Sequence, residues 1–364
     1  MGGSHLSVLG LLQRLDRDRF DPLVVVPRED GKIARLFREE NIPVVSPFGW
    51  TATPHARNVG LNGVPAALAK LVPQVRFLRG EEIDITHIND GRTQAAWSLA
   101  AKLAGTRLLW HHRGNPDSRG LRFVAPLLAD RVLSVSQFSL PRGGLISAAG
   151  RAQVVHSPFD TDIAVDRAAA RAMLTGELRA PPDALLLGYF GVFQERKRPL
   201  LFIDAVARLR ELRPDLPVRG LMFGAAEESI MDDAIRRHIR GLELDEHIVA
   251  MGWRSPGTTW IAACDQLIVP AVGEPFGRTL VEAMLVGTPV VATRSGGNVE
   301  ALDNGRLGIL VPPEDADALA RGILELARDG GHALAARARD SARHRFGLDR
   351  HCDQVMAVYE AMLA

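Results

Sequence analysis

The feature that most constrains the fold is a regular alternation of short apolar runs with longer amphipathic runs along almost the whole chain. The first half contains the runs "PLVVVP", "IPVVSPF", "DITHIND", "TRLLWHH", "DRVLSVS" and "AQVVHSP". The second half contains "LLLGYFG", "PVRGLMFG", "EHIVAMGW", "DQLIVPA", "PVVATRSG" and "RLGILVPP". This alternation is typical of βα units on a parallel sheet. The sequence therefore predicts an α/β fold.

The chain length suggests how many such sheets to expect. At 364 residues the chain suits two domains of ordinary size. A polar turn, a short helix and a Pro-Pro break fall near residues 158–183, between the two sets of runs. We therefore predict two Rossmann-like, doubly wound domains over residues 1–165 and 166–345, followed by a final helix over 346–364. Such domains bind ligands at the carboxyl ends of their strands, so a cleft is expected between them.

Composition narrows the classes of function. No apolar run approaches the length of a membrane-spanning helix, no secretory signal is visible, and no basic block is interleaved with aromatic residues as in nucleic-acid-binding proteins. The two cysteines, Cys264 and Cys352, lie far apart and form no metal-ligand pattern, which indicates a reducing compartment. We expect a cytoplasmic protein that does not bind nucleic acid.

The charges are unevenly distributed along the chain. Residues 1–180 hold 23 basic and 17 acidic residues, whereas residues 181–364 hold 21 and 26. A basic first half favours an anionic partner, such as a membrane surface, although uneven scatter is the simpler interpretation. Peripheral contact with an anionic membrane through the N-terminal half is therefore an alternative to a purely cytoplasmic location.

The segment richest in chemistry is "PAVGEPFGRTLVEAMLVGTPVVATRSGGNVEAL", residues 270–302. It predicts a buried strand, a loop, a helix and the next strand. The start of that helix offers free backbone N–H groups to a phosphate, and the residues concerned are Gly277, Arg278, Thr279 and Leu280. Glu274 in the loop and Glu282 on the second helical turn can accept hydrogen bonds from the hydroxyls of a ribose or hexose. A pair of solvated surface glutamates is the alternative.

The surrounding string distinguishes these interpretations. "EPFGRTLVEAMLVGTPVVAT" followed by "GGNVE" resembles the signature of the retaining GT-B glycosyltransferases of family 4, known as glycosyl transferases group 1. "YFGVFQERKRPLLFIDAVARL", "GLMFGAAEE", "IVAMGW" and "WIAACDQLIVPA" are similar to other parts of that family, in the same order. The closing "HRFGLDRHCDQVMAVYEAML" resembles its terminal helix, which crosses back onto the N-terminal domain.

The resemblance implies roles for individual residues in donor binding. Glu282 would hold the ribose, and Glu274 the hydroxyls of the donor sugar near the reacting carbon. Backbone amides from Phe276 to Leu280 would meet sugar or phosphate oxygens. Lys197 matches the family's diphosphate lysine, whose charge stabilises the leaving diphosphate in the transition state.

The chain departs from the family at one position. Relatives often carry an arginine directly after the glycine that ends this strand, whereas this chain reads Gly191-Val192. Arg196 and Arg198 are the candidates to replace the missing charge, and solvated surface arginines are the alternative.

The N-terminal half supplies weaker candidates. In "LLWHHRG" the resemblance implies a histidine that contacts the donor sugar or assists the acceptor, and His112 and Arg113 compete for this role, with His111 a third possibility. The glycines Gly2 and Gly3 match the family's turn facing the donor, after which Ser4 is expected to cap the first helix.

Other predictions concern acceptor selection, base recognition and metal binding. Residues 48–63 are long, polar and rich in Gly and Pro, as expected for a loop that selects the acceptor. Base recognition is expected around Met251, Gly252 and Trp253. The "DTD" at Asp160–Asp162 fits a bare metal-binding pattern, but its place in the interdomain turn favours turn chemistry, so we expect no metal.

The expected function is transfer of a sugar from a nucleotide diphosphate sugar, UDP- or GDP-linked, to a hydroxyl acceptor on a glycan, a lipid-linked molecule or a small molecule. Retention at the anomeric carbon is implied by the resemblance, and no cofactor beyond the co-substrate is expected. Two alternatives stay open: a catalytically impaired nucleotide-sugar-binding GT-B protein or partner subunit, and a GT-B sugar-nucleotide epimerase.

The start of the chain carries one more expectation. In the family a first strand precedes the Gly-Gly turn, whereas here the glycines follow Met1 directly. The first strand of the N-terminal domain is therefore expected to be missing. Because that strand is usually central, its two neighbours would lose their ladder partner.

Overall fold

The computed structural model describes residues 3–48, 64–328 and 331–364. The chain divides into two compact units. The N-terminal unit comprises residues 1–159 and 348–364, and the C-terminal unit comprises residues 160–347. Gly2 and nearly all of the expected acceptor loop, residues 49–63, lie outside the described residues.

The described residues of the N-terminal unit form six short strands. They are β1 Val24–Val25, β2 Val44–Val45, β3 Ile85–Ile88, β4 Arg107–His112, β5 Arg131–Ser134 and β6 Ala152–Val154. All pairings are parallel, but the strands form two separate sheets, β1-β2 and β3-β4-β5-β6. No strand precedes the first helix within the described part of the chain. Within the described residues no strand joins these two sheets.

The helices of this unit cover both faces of the four-stranded sheet. They are α1 Gly3–Arg14, α2 Lys32–Glu39, α3 Val64–Gly80, α4 Gly91–Ala104, a π-helical turn Gly120–Val124 that runs into α5 Ala125–Leu128, a 3₁₀ turn Ala149–Arg151, and α14 Leu348–Leu363 at the end of the chain. The first helix begins at Gly3, so Ser4 lies inside its first turn and the expectation that Ser4 caps it is wrong. Asp90 does cap α4, because its side chain accepts from the backbone N–H groups of Arg92 and Thr93.

Alternate side chains of β4 enter two different cores. Leu109 packs with α1, α2 and α14, whereas Leu108 and Trp110 pack with α3, α4 and the helical segment 120–128. This alternation is what a strand buried on both faces requires. The C-terminal helix α14 is thereby part of the N-terminal unit, and Val355 and Val358 are among its core residues.

The C-terminal unit is built on one continuous sheet. Its strands are β7 Leu185–Phe190, β8 Val218–Phe223, β9 Ile248–Gly252, β10 Gln266–Val269, β11 Val290–Thr293 and β12 Ile309–Val311. Their order is β12-β11-β10-β7-β8-β9, and every pairing is parallel. This is a doubly wound sheet whose strand order reverses between β7 and β10. Ligands bind at such a reversal, beside the carboxyl ends of the strands.

Helices cover both faces of this sheet as well. They are α6 Arg167–Leu178, α7 Pro199–Leu212, α8 Ser229–Gly241, α9 Gly257–Ala263, α10 Arg278–Val286, α11 Asn298–Ala301, α12 Ala316–Arg328 and α13 His332–Phe346, with 3₁₀ turns at Glu195–Lys197 and Asp303–Gly305. Leu187 packs in the core beneath α7 and α12, whereas Leu186 packs in the core beneath α6 and α9. Each of the twelve apolar runs contains a strand, which confirms the α/β prediction. None of the described helices has the length and hydropathy needed to span a membrane.

Candidate functional site

Two loops meet at the reversal of strand order in the C-terminal unit. One follows β7 and contains the turn Glu195–Lys197, and the other follows β10 and leads into α10. The backbone joins them directly, because the N–H of Val272 donates to the carbonyl of Arg196 at 2.9 Å. The two segments singled out from the sequence, "QERKRP" and "GEPFG", are therefore neighbours in the fold.

Glu274 is the centre of this site. Its side chain is buried, and one carboxylate oxygen, Oε2, lies 2.5 Å from an Arg196 guanidinium nitrogen and 2.6 Å from Lys197 Nζ. Lys197 is itself largely buried, whereas Arg196 is about one-third exposed. One carboxylate therefore holds two cations at the carboxyl edge of the sheet.

The positive charges of Arg196 and Lys197 stabilise the ionised form of Glu274. Burial by itself would raise the pKa of Glu274, but the positive charges of Lys197 and Arg196 and their hydrogen bonds outweigh it, and the pKa lies below its ordinary value. Glu274 is therefore ionised at neutral pH.

The sequence left two arginines competing for the charge that Val192 cannot provide. Arg196 contacts Glu274, whereas Arg198 donates to Glu314 at 2.6 Å and to the carbonyl of Glu195 at 2.6 Å. Arg198 adopts a left-handed backbone conformation, with φ of 51°, directly before Pro199. The geometry thus brings Arg196, and not Arg198, to the cluster.

Glu282 and Arg278 lie one turn apart on α10, close to Lys197. Burial raises the pKa of the Glu282 carboxyl and lowers the pKa of Arg278, while the charges of Arg278 and Lys197 act in the opposite direction on Glu282. The nearest Arg278 nitrogen is 3.9 Å from the Glu282 carboxylate, which is longer than a hydrogen bond. A hydroxyl-bearing ligand would therefore find acceptor capacity at Glu282.

The start of α10 is shaped by glycine. Gly277 has φ of +80°, and no side chain of the described residues caps the helix there. Phe276 is buried with its ring 5.3 Å from that of Phe346. The N–H of Leu280 already donates to the carbonyl of Gly277 at 3.1 Å, so the expectation that it is available to an anion is not met. Thr279 occupies the first turn of the helix, where anions favour binding.

A third loop, residues 295–297, packs against the backbone of Glu274. The N–H of Gly297 donates to the carbonyl of Glu274 at 2.7 Å, and the N–H of Gly273 donates to Ser295 Oγ at 3.0 Å. Gly296 has φ of +59°, and a Cβ there would lie 2.7 Å from the Glu274 backbone nitrogen. A Cβ on Gly297 would be 2.8 Å from Phe276 Cα. Only glycine allows the two loops to approach so closely.

Asn298 follows this loop as the first residue of α11, and it is part of the motif "GGNVE", which assigned it no role. Its amide nitrogen donates to the carbonyl of Thr293 at 3.2 Å, whereas its buried Oδ1 has no partner among the residues that the structure describes. That oxygen lies 3.3 Å from where a Cβ on Gly277 would stand. The "GGN" string next to the signature was the available signal, but its supporting role depends on contacts across more than 20 residues.

The residues expected around the base have different surroundings. Met251 is buried in the core beneath α6 and α9, Gly252 has φ of +67°, and Trp253 is 72% exposed. The carbonyl of Gly252 accepts a hydrogen bond from the N–H of Gly224 at 2.9 Å. Of the side chains of Met251 and Trp253, only that of Trp253 is open to a ligand.

In the N-terminal unit, three neighbouring candidates at the end of β4 differ in their exposure to solvent. His111 is fully buried. His112 is buried too, with Nε2 donating to the carbonyl of Asn115 at 3.0 Å, and burial lowers its pKa. Arg113 is only half-buried and donates to Ser157 Oγ at 3.1 Å and to Asn89 Oδ1 at 3.4 Å. Arg113 is therefore the one of the three that lies at the carboxyl edge and within reach of solvent.

A hydrogen-bonded row of aromatic and imidazole side chains leads to Arg113. The Tyr359 hydroxyl is 2.6 Å from His87 Nδ1, His87 Nε2 is 3.2 Å from His111 Nδ1, and Arg113 donates to that same His111 nitrogen at 3.3 Å. The rings of His87 and His111 stack at 5.4 Å, and that of His351 stacks on His111 at 6.1 Å.

The hydrogen bonds among these side chains indicate which ring nitrogens of His87 and His111 carry a proton. Arginine only donates, so His111 Nδ1 must accept and His111 carries its proton on Nε2. His87 then donates through Nε2 and accepts from Tyr359. Burial, followed by the charge of Arg113, lowers the pKa of His87 to about 3 and the pKa of His111 well below its ordinary value. Both rings are neutral, and the proton on His111 Nε2 has no acceptor among the described residues.

The remaining candidates have simple surroundings. Asp160 Oδ1 accepts a hydrogen bond from the N–H of Asp162 at 3.0 Å, so the "DTD" string serves as a turn. Across the described residues there is no group of three or more acidic, histidine or cysteine side chains placed to hold a metal ion. Gly3 is the first residue of α1, and its carbonyl accepts from Ser7 Oγ at 3.0 Å.

Comparison with known proteins gives the cluster its context. Residues 184–329 match the family model "Glycosyl transferases group 1". A D-inositol 3-phosphate glycosyltransferase of Streptomyces avermitilis is 35% identical over 229 residues, 59% of this chain and 47% of its own length. That of Corynebacterium urealyticum is 29% identical over 191 residues, 51% and 45% of the two chains. The chain spans about half the length of the curated relatives it matches.

Solved structures resemble the chain over nearly its full length. Anabaena Alr3699/HepE, solved with UDP and glucose, has a TM-score of 0.82 at 25% identity and covers 99% of this chain and 96% of its own. Sucrose-phosphate synthase of Thermosynechococcus elongatus has a TM-score of 0.69 at 20% identity over 89% and 84% of the two chains. The chain therefore has the GT-B fold that the sequence predicted.

Proposed function

We propose that this chain, which belongs to the glycosyl transferases group 1 through residues 184–329, transfers a sugar from a nucleotide diphosphate sugar to a hydroxyl acceptor with retention at the anomeric carbon. The observation that carries the proposal is the buried Glu274 carboxylate, held by Arg196 and Lys197 at the switch point of the C-terminal sheet.

In this proposal the two cations change partners when the donor binds. Lys197 and Arg196 turn from Glu274 to the diphosphate, whose negative charge grows as the bond to the sugar breaks. Glu274, released from one or both cations, accepts hydrogen bonds from the hydroxyls of the donor sugar. The first turn of α10 adds backbone dipoles of the favourable sign.

Glu282 is assigned to the ribose of the nucleotide. Its raised pKa reports a carboxyl poorly supported by its surroundings, and two ribose hydroxyls would supply the missing hydrogen bonds. Trp253 is the exposed aromatic residue on which a base could stack. A uridine nucleotide is our first choice because HepE was solved with UDP and glucose.

The N-terminal unit is assigned to the acceptor. Arg113 is a half-buried cation at the carboxyl edge of the four-stranded sheet, oriented by Asn89, Ser157 and His111. A bidentate guanidinium suits an acceptor that carries a phosphate or carboxylate. D-inositol 3-phosphate, the acceptor in the names of the curated relatives, has such a group.

The compartment belongs to the proposal too. Both cysteines are buried and unpaired in the structure, as expected for a reducing, cytoplasmic location.

The test is release of nucleotide from a panel of UDP-, GDP- and ADP-sugars, each with and without acceptors that include D-inositol 3-phosphate. We expect release from one nucleotide class, dependent on an acceptor, and a product whose anomeric configuration by NMR equals that of the donor. Transfer should continue in EDTA, because Arg196, Lys197 and α10 supply the positive charge.

Other results would support the competing functions. Tight donor binding by calorimetry with no turnover for any acceptor would favour a nucleotide-sugar-binding protein, an alternative that Val192 keeps open. Conversion of the donor sugar without an acceptor, followed by NMR, would favour an epimerase. An inverted product would contradict retention but not transfer.

A further inference from the structure

One layer of helices in the N-terminal unit contains no acidic residue. The helices α3, α4 and the segment 120–128 pack on the same core over one face of the four-stranded sheet. Their sequences, "VPAALAKLVPQVRFLRG", "GRTQAAWSLAAKLA" and "GLRFVAPLL", hold six basic residues and neither Asp nor Glu. We call these three helices the basic layer.

The outer surface of the basic layer is also unusually apolar. Five large apolar side chains on it are exposed, from 45% to 67%, and they are Val72, Leu99, Leu103, Phe123 and Leu127. The pairs Leu99/Leu103 and Phe123/Leu127 are each four residues apart, so each pair forms a ridge on its helix. Soluble surfaces seldom concentrate such residues, and a group of them marks an interaction site.

The same helices carry exposed cations. Arg76 and Arg79 on α3, Arg92 and Lys102 on α4, and Arg122 on the π-helical turn are all exposed. The carboxylates nearest to them in sequence stand beyond the helix ends, and Lys102 reaches one of these, Asp130, at 3.6 Å. The exterior of the layer therefore combines positive charge with apolar side chains.

The loop 142–147 adds an apolar tip beside this layer. Leu145 and Ile146 are its most exposed residues, and Ser147 Oγ closes the loop on the carbonyl of Arg142 at 2.5 Å. Arg142 is 2.9 Å from Asp117, just before the π-helical turn. Arg151, just after the loop, donates to the carbonyl of Ala125 at 3.2 Å. The residues that flank the tip thus contact Asp117 and the segment 120–128.

Helix α8 of the C-terminal unit shows how an apolar side chain looks in an ordinary setting. Ile230 there is 73% exposed, as much as Ile146, but Glu227, Glu228, Asp232 and Asp233 surround it in sequence. Basic residues with interspersed apolar side chains and no carboxylate complement a surface that is negatively charged outside and hydrocarbon beneath.

We propose that the basic layer and the tip Leu145–Ile146 dock the N-terminal unit on an anionic lipid bilayer. The cations bind the headgroups, and the ridges and the tip enter the boundary with the acyl chains. The proposal concerns a surface outside the donor site, so it does not depend on the transfer reaction.

Flotation with vesicles tests this proposal on the full chain. Vesicles of phosphatidylcholine with 30% phosphatidylglycerol, a composition chosen for the test, should carry the protein, whereas pure phosphatidylcholine should carry at least tenfold less. Raising the salt to about 0.5 M should release it, because screening shortens the reach of the charges to a few ångströms.

Two double variants divide the charge from the apolar contribution. Arg76→Glu with Arg122→Glu should lower partitioning more than tenfold, since each lost basic residue is worth about a factor of five near an anionic surface. Phe123→Ser with Leu127→Ser should lower it about tenfold through lost insertion. The matched controls in α8, Arg236→Glu with Arg237→Glu and Ile230→Ser, should bind as the parent does.

Failure has clear forms. No flotation of the parent on anionic vesicles, or equal loss in the α8 controls, would overturn the proposal. A dimer by light scattering that the basic-layer variants dissociate would show that a second copy covers this face and would also overturn it. Because the side chains are exposed, the variants should keep the parent's melting temperature; if one does not fold, Leu145→Ser with Ile146→Ser provides an independent test.

Discussion

Two titratable clusters among the described residues, one around Glu274 and one around His111, differ in whether the buried group is charged. In the C-terminal unit Glu274 is buried beside Arg196 and Lys197, and its carboxylate stays ionised. In the N-terminal unit His111 is buried and His87 is half-buried beside it, but their charged neighbour is Arg113, so they stay neutral.

The difference shows what burial requires of a charge. Desolvation is the largest influence on all three groups, and it disfavours the ionised form each time. At Glu274 two opposite charges at hydrogen-bond distance reverse its effect, whereas at the histidines a like charge reinforces it. The first cluster can therefore exchange its cations with an anionic ligand, and the second serves as a neutral hydrogen-bonded support for Arg113.

The largest effect should follow from removing the central charge. Glu274→Gln keeps the shape of the side chain but leaves Arg196 and Lys197 without their carboxylate. We expect kcat to fall on the order of a thousandfold, as when a group that stabilises the transition state is lost. Binding of the free nucleoside diphosphate, measured by calorimetry, should be retained or strengthened because a competitor for the cations is gone.

The control for this variant is Glu314→Gln, which removes the exposed carboxylate that pairs with Arg198. It should change kcat less than twofold, since exposed ion pairs contribute little. Equal activity of Glu274→Gln and the parent would refute the assignment of Glu274.

The support behind the cluster can be broken without touching a charge. In Gly296→Ala a Cβ would collide with the Glu274 backbone at a φ of +59°. We expect the free energy of unfolding to fall by about 2–3 kcal/mol, through strain and overpacking, with a parallel loss of activity. Gly257→Ala is the control, because nothing lies within 4 Å of a Cβ there, and its melting temperature should stay or rise. The same melting temperature for both variants would mean that the loops can separate freely.

Two arginines separated by one residue sharpen the comparison further. Arg196→Ala should lower kcat/KM for the donor tenfold to a hundredfold, the range for a charge-assisted hydrogen bond. Arg198→Ala should lower it less than threefold, because this side chain bonds Glu314 and Glu195 instead. Initial rates over a donor series measure both, and the opposite ranking would contradict the assignment of Arg196 to the donor site.

The smallest effect concerns acidification. Below a pH of about 6.5 the unfolded chain protonates His87 and His111, whereas the native chain does not, so the N-terminal unit loses stability as pH falls. The loss is about 1.4 kcal/mol per pH unit for each neutral histidine at most. Glu274 has a lowered native pKa, so its contribution is lost only as pH falls below its ordinary range near 4.

Hydrogen exchange by mass spectrometry on the full chain, corrected for intrinsic rates, separates these contributions. Between pH 7 and 5 peptides of β4 should lose protection and peptides of β10 should not. His111→Asn, which can still accept from Arg113, should flatten the β4 response, and the exposed His344→Asn should not. Equal loss in both units would contradict the proposed difference.

Several parts of this structure could be predicted from short stretches of sequence. The twelve strands follow from local apolar runs, and the loop and helix around "GEPFGRTLVEAM" follow from glycine and helical periodicity. The roles of Glu274, Glu282 and Lys197 remain predictions, but their neighbourhood was implied by the order of the βα units, because carboxyl ends of adjacent parallel strands meet at one edge.

Other parts could not be predicted because they depend on distant contacts. Arg196 lies 78 residues from Glu274, and its selection over Arg198 depends on the backbone turn before Pro199. His87 and Tyr359 are separated by 272 residues, so the register that buries His111 and exposes Arg113 was open among neighbours. The absence of acidic residues from the basic layer is visible in the sequence, but the common face of its helices is not.

The sequence by itself determined which segments become strands and helices, where glycine is required, and which side chains carry chemistry, since these depend on periodicity and backbone freedom within a few residues. Only the tertiary structure decided which cation meets Glu274, which residue of "HHR" stays open to solvent, and which helices share the basic layer. Burial and pairing are properties of neighbours in space, and they set both the charge of a group and its freedom to bind a ligand.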